Sequence, residues 1–123
     1  MFRGTGTAVV TPFSGGAVDY ESFGRFLNWQ IESRVEFLVV LGTTGESPTV
    51  TAGEREEIIK FALKTAAGRV PVVIGAATND TASTVELCKH AEGLGADGLL
   101  VVTPYYNKPT QEGLFRHFEA AAR

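Results

Sequence analysis

The sequence predicts an α/β fold in which a parallel sheet is covered by helices. Three observations carry this. The strand candidates are uniformly apolar rather than alternating, as in Phe37-Leu38-Val39-Val40-Leu41, which fits strands buried on both faces. They begin near residues 7, 37, 70 and 98, a spacing of about 30 residues that suits βα repeats. Between them lie amphipathic stretches with apolar residues at steps of three and four. Two architectures satisfy the pattern, a doubly wound open sheet and part of a (β/α)8 barrel. In both, ligands gather at the C-terminal strand ends.

The first strand spans Thr7 to Val10 and runs into Thr11-Pro12-Phe13, where Pro12 cannot donate to a ladder. Ser14-Gly15-Gly16 reads as a loop. Asp19 caps a helix whose stripe is Tyr20, Phe23, Leu27 and Ile31; Trp29 falls off it, at a rim, a subunit contact or the plain surface. The second strand, Phe37 to Leu41, ends in Gly42-Thr43-Thr44-Gly45-Glu46-Ser47. Its helix starts after Thr51, with Glu54 completing a capping box, buries Ile58, Ile59, Ala62, Leu63 and Ala66, and stops at Gly68. The charges Glu54, Arg55, Glu56, Glu57, Lys60 and Lys64 read as a solvated face.

The third strand covers Val70 to Ile74. The next helix is capped at Asp80 or Thr81, buries Val85, Cys88, Ala91 and Leu94, and ends at Gly93 and Gly95. The fourth strand, Gly98 to Val102, leads into Thr103-Pro104-Tyr105-Tyr106-Asn107-Lys108-Pro109. Thr110 then caps a last helix with Leu114, Phe115, Phe118 and Ala122 on one side, a pattern still helical at Arg123.

Each strand runs into a threonine: Thr11, Thr43, Thr78 and Thr103. In the Gly-Thr-Thr-Gly turn, glycines give the backbone freedom, and two hydroxyls with free N–H groups make a nest for a small carboxylate or phosphate. A tight βα turn without a ligand fits the same residues. Thr43, Thr44, Tyr105 and Tyr106 all sit past strand ends, where hydroxyls can hold a carboxylate and relay protons; for the tyrosine pair, a packed loop or an interface fits equally. Glu46 is a candidate base or a loop brace. His90 and His117 lie on helices, away from the strand ends, and Cys88 on an apolar stripe reads as structural. Lys108, the only lysine at the presumed mouth, sits in an exposed turn that would not desolvate a Schiff-base amine.

The 123 residues suffice for one domain with its own core. With hydrophobic residues at 44% and charged residues at 20%, the chain reads as globular rather than disordered. A net charge of −3 and no basic patch exclude a general nucleic-acid grip. A single cysteine, no signal-peptide core in Met1-Phe2-Arg3-Gly4 and no long apolar run predict a cytoplasmic protein with no membrane partner. No spacing of His, Cys, Asp or Glu suits a metal, and neither a Gly-x-Gly-x-x-Gly nor a Walker loop is present.

Gly42 to Ser47, together with Thr103 to Leu114, closely resembles the dihydrodipicolinate synthase family, as do Phe2-Arg3-Gly4 and Val10-Thr11-Pro12-Phe13. The resemblance covers essentially all 123 residues. The first motif is shared with sibling pyruvate-dependent aldolases such as N-acetylneuraminate lyase; the Tyr-Tyr-Asn-Lys-Pro-Thr-Gln-Glu-Gly segment is more specific to the synthases.

The resemblance implies a TIM barrel and a homotetramer of tight dimers. Pyruvate is held as a Schiff base on a lysine, with no separate cofactor, and condensed with aspartate semialdehyde on the route to diaminopimelate and lysine. By resemblance, Thr44 holds the pyruvate carboxylate, while Thr43 and Tyr106 belong to a proton relay, Tyr106 reaching into the partner's site. Ser47, Asn79 and Tyr105 match positions lining the lysine feedback site of regulated members. Ala52 and Arg55 stand where histidines are expected there, and Ser83 where a glutamate is, which weakens the expectation of feedback.

Residues 1–123 then form a single (β/α)4 unit, four of the eight units of a TIM barrel and its N-terminal half, with the chain ending inside the fourth helix. The relay's second tyrosine, its arginine and the Schiff-base lysine fall after Arg123. This chain alone is therefore expected to be inactive and to self-associate through its unpaired sheet edges. The alternatives are a sibling aldolase acting on a sugar acid, against which the Tyr-Asn-Lys-Pro segment speaks, and a non-catalytic half-barrel that binds a small anion or self-associates.

Overall fold

Four of the apolar stretches pair into one parallel sheet in a computed structural model of the chain, which describes residues 2–123; Met1 lies outside the described residues. In chain order the elements are β1 (Gly6–Ala8), β2 (Phe13–Ser14), β3 (Ala17–Val18), α1 (Tyr20–Glu32), β4 (Phe37–Val40), α2 (Ala52–Ala66), β5 (Val72–Gly75), α3 (Thr81–Gly93), β6 (Gly98–Leu100) and α4 (Gln111–Ala121).

The sheet order is β1-β4-β5-β6. Each new strand joins the same edge as the one before it. A doubly wound sheet must reverse direction at some point, and this one does not. The sheet is therefore wound one way only, as four consecutive units of a barrel are.

Registers such as Leu38↔Val72 and Val40↔Ile74 align the residues that face the helices. There they meet Phe23 and Leu27 of α1, Ile58, Ile59 and Ala62 of α2, and Cys88 and Ala91 of α3, all buried. The opposite face is open: Val10, Leu100 and Val102 are 43%, 49% and 45% exposed. At its lower end the Phe37 ring lies over Gly6 and the Phe2 ring over Gly98, where a Cβ would stand 2.0 and 2.6 Å from ring atoms.

The strands are shorter than the apolar runs. β5 begins at Val72 because Pro71 has no N–H, although its carbonyl still accepts from Leu38 at 3.0 Å. β6 stops at Leu100, whose carbonyl receives the last ladder bond from Ala76 at 3.1 Å.

Asp19, Thr51 with Glu54, Asp80 and Thr110 cap the four helices as expected, Asp80 rather than Thr81 taking that role on α3. Three local expectations are corrected. Ser14-Gly15-Gly16 is not an open loop but part of a β2–β3 hairpin turned by Gly15 (φ 60) and Gly16 (φ 84), values that match the right-handed twist of a two-residue turn. On α3 the fully buried side chain is Thr84 rather than Val85, because its hydroxyl folds back onto the carbonyls of Thr78 (3.3 Å) and Asp80 (2.8 Å). On α4 the buried residue is His117, while Phe115 and Phe118 are 64% and 38% exposed, since α4 packs mainly on α3 and turns its phenylalanines outward.

Candidate active site

The turn after β4 is a pair of short 3₁₀ segments, Thr43–Gly45 and Ser47–Thr49. Gly45 N–H returns to Gly42 O at 3.0 Å and Glu46 N–H to Thr43 O at 3.1 Å, so the Thr43 and Thr44 N–H groups lead the turn with no acceptor inside it. Both threonines are exposed. This preserves the expected donor pair.

The expected role of the glycines is corrected. Neither Gly42 nor Gly45 has a positive φ; the left-handed positions are taken by Leu41 (φ 59) and Glu46 (φ 54), on either side of the first segment. Gly45 sits in tight space instead, since a Cβ there would stand 3.2 Å from Val9 O and 3.3 Å from Thr11 Oγ1. A Cβ on Gly75, at the end of β5, would stand 2.1 Å from Leu41 O. The strand ends are thus packed backbone to backbone.

Two side chains hold the turn from behind. Thr11, 3% exposed, donates its hydroxyl to Gly45 O at 2.8 Å. Arg55, half-buried, donates to Gly75 O (3.2 Å), Ser47 O (3.2 Å) and Ser47 Oγ (2.8 Å). Burial pushes its guanidinium below the usual value without threatening its charge. The sequence reading placed Arg55 on a solvated face; the helix instead turns it inward to meet those acceptors.

The ends of β4, β5 and β6 enclose a cleft of about 390 Å³, whose lining includes Gly42, Thr43, Ser47, Gly75, Val102 and Tyr105. Of the four strand-end threonines, only Thr43 lines it; Thr11 serves the turn, and Thr78 is spent on local bonds to Asp80 and Thr84. Tyr106 does not line the cleft. It is 94% exposed, with φ 67, at the centre of a γ-turn closed by Asn107 N–H to Tyr105 O at 2.8 Å. Asn107 also donates to Asn79 O (2.8 Å) and accepts from Asn79 Nδ2 (3.3 Å), tying the β5 and β6 loops together.

Among the described residues six non-glycines have positive φ, and four of them, Leu41, Glu46, Tyr106 and Lys108, belong to these strand-end loops. Backbone strain concentrated this way is typical of functional sites.

The remaining candidates stand apart from the cleft lining. Glu46 and Lys108 are exposed. Cys88 is buried, donates to Ala76 O at 3.4 Å, and burial raises its thiol pKa, so it is structural. His90 is exposed, 3.5 Å from Glu56. His117 meets Thr81 Oγ1 through Nδ1 at 2.9 Å, while its buried Nε2 has no partner among the described residues. Among the described residues, no cluster of three His, Cys, Asp or Glu could hold a metal ion, and no helix is long and apolar enough to cross a membrane.

The model of the dihydrodipicolinate synthetase family matches residues 1–123. A 4-hydroxy-tetrahydrodipicolinate synthase of Kosmotoga olearia is 62% identical over 123 residues, which are 100% of this chain and 42% of that protein. The crystal structure of the Thermotoga maritima dihydrodipicolinate synthase superposes with a TM-score of 0.97 at 56% identity, covering 99% of this chain and 41% of that one. The chloride-inhibited Acinetobacter baumannii enzyme, solved in complex with pyruvate, gives 0.96 at 43% identity, covering 99% and 42%. The chain thus spans about two fifths of the length of the relatives it matches.

Proposed function

The chain belongs to the dihydrodipicolinate synthetase family, and from that premise we propose that it supplies the N-terminal half-barrel of a cytoplasmic 4-hydroxy-tetrahydrodipicolinate synthase, a homo-oligomer that condenses pyruvate with aspartate semialdehyde. The observation that carries the reading is the pair of N–H groups at Thr43 and Thr44, which head a turn that gives them no acceptor; Thr43 lines the cleft together with Tyr105, and Thr44 follows it in the turn, outside the lining. Pyruvate offers the carboxylate that such donors suit, and a relative of the same fold was solved with pyruvate.

In this reading Thr44 grips the carboxylate through its N–H and hydroxyl. The pyruvate ketone condenses with a lysine amine, releasing water, and the resulting iminium withdraws electrons from the methyl group. That lysine comes from a segment outside these 123 residues, because Lys108 is exposed in its loop. No separate cofactor is required. The methyl proton leaves, the enamine attacks the aldehyde carbon, and the new alkoxide takes a proton. Thr43 and Tyr106 carry protons in these steps, Tyr106 from the neighbouring subunit, which suits a phenol 94% exposed on its own chain.

Ser47, Asn79 and Tyr105 are the candidates for an effector site. Ser47 Oγ is engaged by Arg55 and Asn79 by Asn107, so we propose that free lysine leaves the activity unchanged.

The test is reconstitution. The chain is mixed with the C-terminal half of the Kosmotoga olearia relative, and condensation is followed with borohydride trapping of the pyruvate adduct. Activity that needs both halves, with the adduct on the C-terminal half, supports the reading. An adduct on Lys108, or a folded mixture with no turnover, overturns it.

A further inference from the structure

Arg55 breaks three local rules at once. It lies in the first turn of α2, where the helix dipole disfavours a cation. It is half-buried, which costs a charged group its hydration. Among the described residues it forms no ion pair, whereas Arg25, Arg116 and Arg123 each find a glutamate one turn away. Its guanidinium spends its donors on Gly75 O, Ser47 O and Ser47 Oγ. Ser47 and Gly75 both line the cleft, one at the end of the β4 turn and the other at the end of β5. A planar fork can hold a turn carbonyl and a strand-end carbonyl together, and a lysine ammonium cannot fix that geometry.

We propose that Arg55 is a positioning residue of the cleft: it clamps the Ser47 end of the turn to the end of β5, and so keeps the Thr43 and Thr44 N–H groups aimed at a carboxylate. The clamp is complementary to the Thr11 bond, which fixes the same turn at Gly45 from the β1 side. An uncompensated guanidinium behind the turn also biases the cleft toward an anion. The effect on pyruvate rests on the function proposed above; the clamp itself does not.

The test has two arms. In the 123-residue chain, Arg55→Ala raises amide hydrogen exchange at Gly45 about tenfold, the equivalent of one charge-assisted hydrogen bond, while Leu38 and Val40 keep their protection. Arg55→Lys, with the charge but no fork, falls between. Arg55→Gln replaces the alanine variant if that one fails to fold. In the reconstituted enzyme, Arg55→Ala raises KM for pyruvate about tenfold with kcat nearly unchanged, the signature of lost ground-state binding, and Arg55→Lys recovers part of it. Unchanged exchange at Gly45 in a folded Arg55→Ala or Arg55→Gln chain overturns the clamp. Faster exchange with an unchanged KM overturns its role in the cleft. If the unmodified halves do not turn over, the proposed function falls, and the exchange arm still decides whether Arg55 is a clamp.

Discussion

Thr11 donates its hydroxyl to the carbonyl of Gly45 at 2.8 Å, across 34 residues of chain. The bond is buried, so its loss strands an acceptor away from water. Thr11→Val keeps the shape and removes the donor. We expect it to lower unfolding free energy by about 1–3 kcal/mol, read as a lower urea midpoint at constant slope, with Thr11→Ser close to the parent. Equal midpoints for Thr11→Val and the parent would show that the bond contributes nothing.

The glycines of the mouth separate by space rather than by conformation. Around Gly42 the nearest atoms to a Cβ, on Leu100 and Val39, are 3.8 Å away and φ is −73. Gly42→Ala is expected to fold with stability within about 0.5 kcal/mol of the parent. Gly75→Ala drives a Cβ to 2.1 Å from Leu41 O, backbone that cannot step aside, and is expected to cost about 3 kcal/mol or to prevent folding. Thermal unfolding of the two variants side by side checks the order, and the reverse ranking would refute it.

What was legible in the sequence was local. The four strand–helix units follow from apolar runs and steps of three and four. The caps Asp19, Thr51 with Glu54, Asp80 and Thr110 each act within three residues of their own position. The strand-end placement of Thr43 and Tyr105 follows from the same pattern, and both line the cleft. What stayed hidden depends on partners far along the chain or on backbone angles. Arg55 looks like any charge on a helix until Gly75, 20 residues on, appears beside it. Leu41 and Glu46 hold left-handed angles that residue type argues against, next to glycines that do not need them. His117 is buried where the phenylalanines were expected, because α3 presents Thr81 to it.

Acid should unfold the chain partly through its helix caps. Hydrogen bonds from Ser22 and Ser83 lower the pKa values of Asp19 and Asp80 below their ordinary 3.8, and Thr51 lowers that of Glu54 below 4.5. Where folded pKa values are depressed, the unfolded chain binds more protons. The stabilisation is complete above the unfolded values and is lost as pH falls through the folded ones. The urea midpoint should therefore be flat from pH 7 to about 5 and decline below about 4.5. Asp80→Asn keeps a capping side chain and removes its titration, so its decline should be shallower. A parent curve parallel to that of Asp80→Asn would mean the cap is not part of the acid response.

The strain at Tyr106 makes its role separable from folding. Its φ of 67 lies in the region that costs a side-chain-bearing residue about 1–2 kcal/mol, and its ring, 94% exposed, recovers nothing by packing on its own chain. Tyr106→Gly relieves the strain but gives the unfolded chain about 0.5–1 kcal/mol of extra entropy, so the half-barrel should be as stable as the parent or slightly more so. Tyr106→Phe retains the strain and should leave stability unchanged. In the reconstituted enzyme, loss of the phenol should cost about 10²–10⁴-fold in kcat for both variants, the range for a removed proton-transfer group. A phenylalanine variant that turns over at the parent rate would remove Tyr106 from the relay, and the cost of its backbone conformation would then need another purpose.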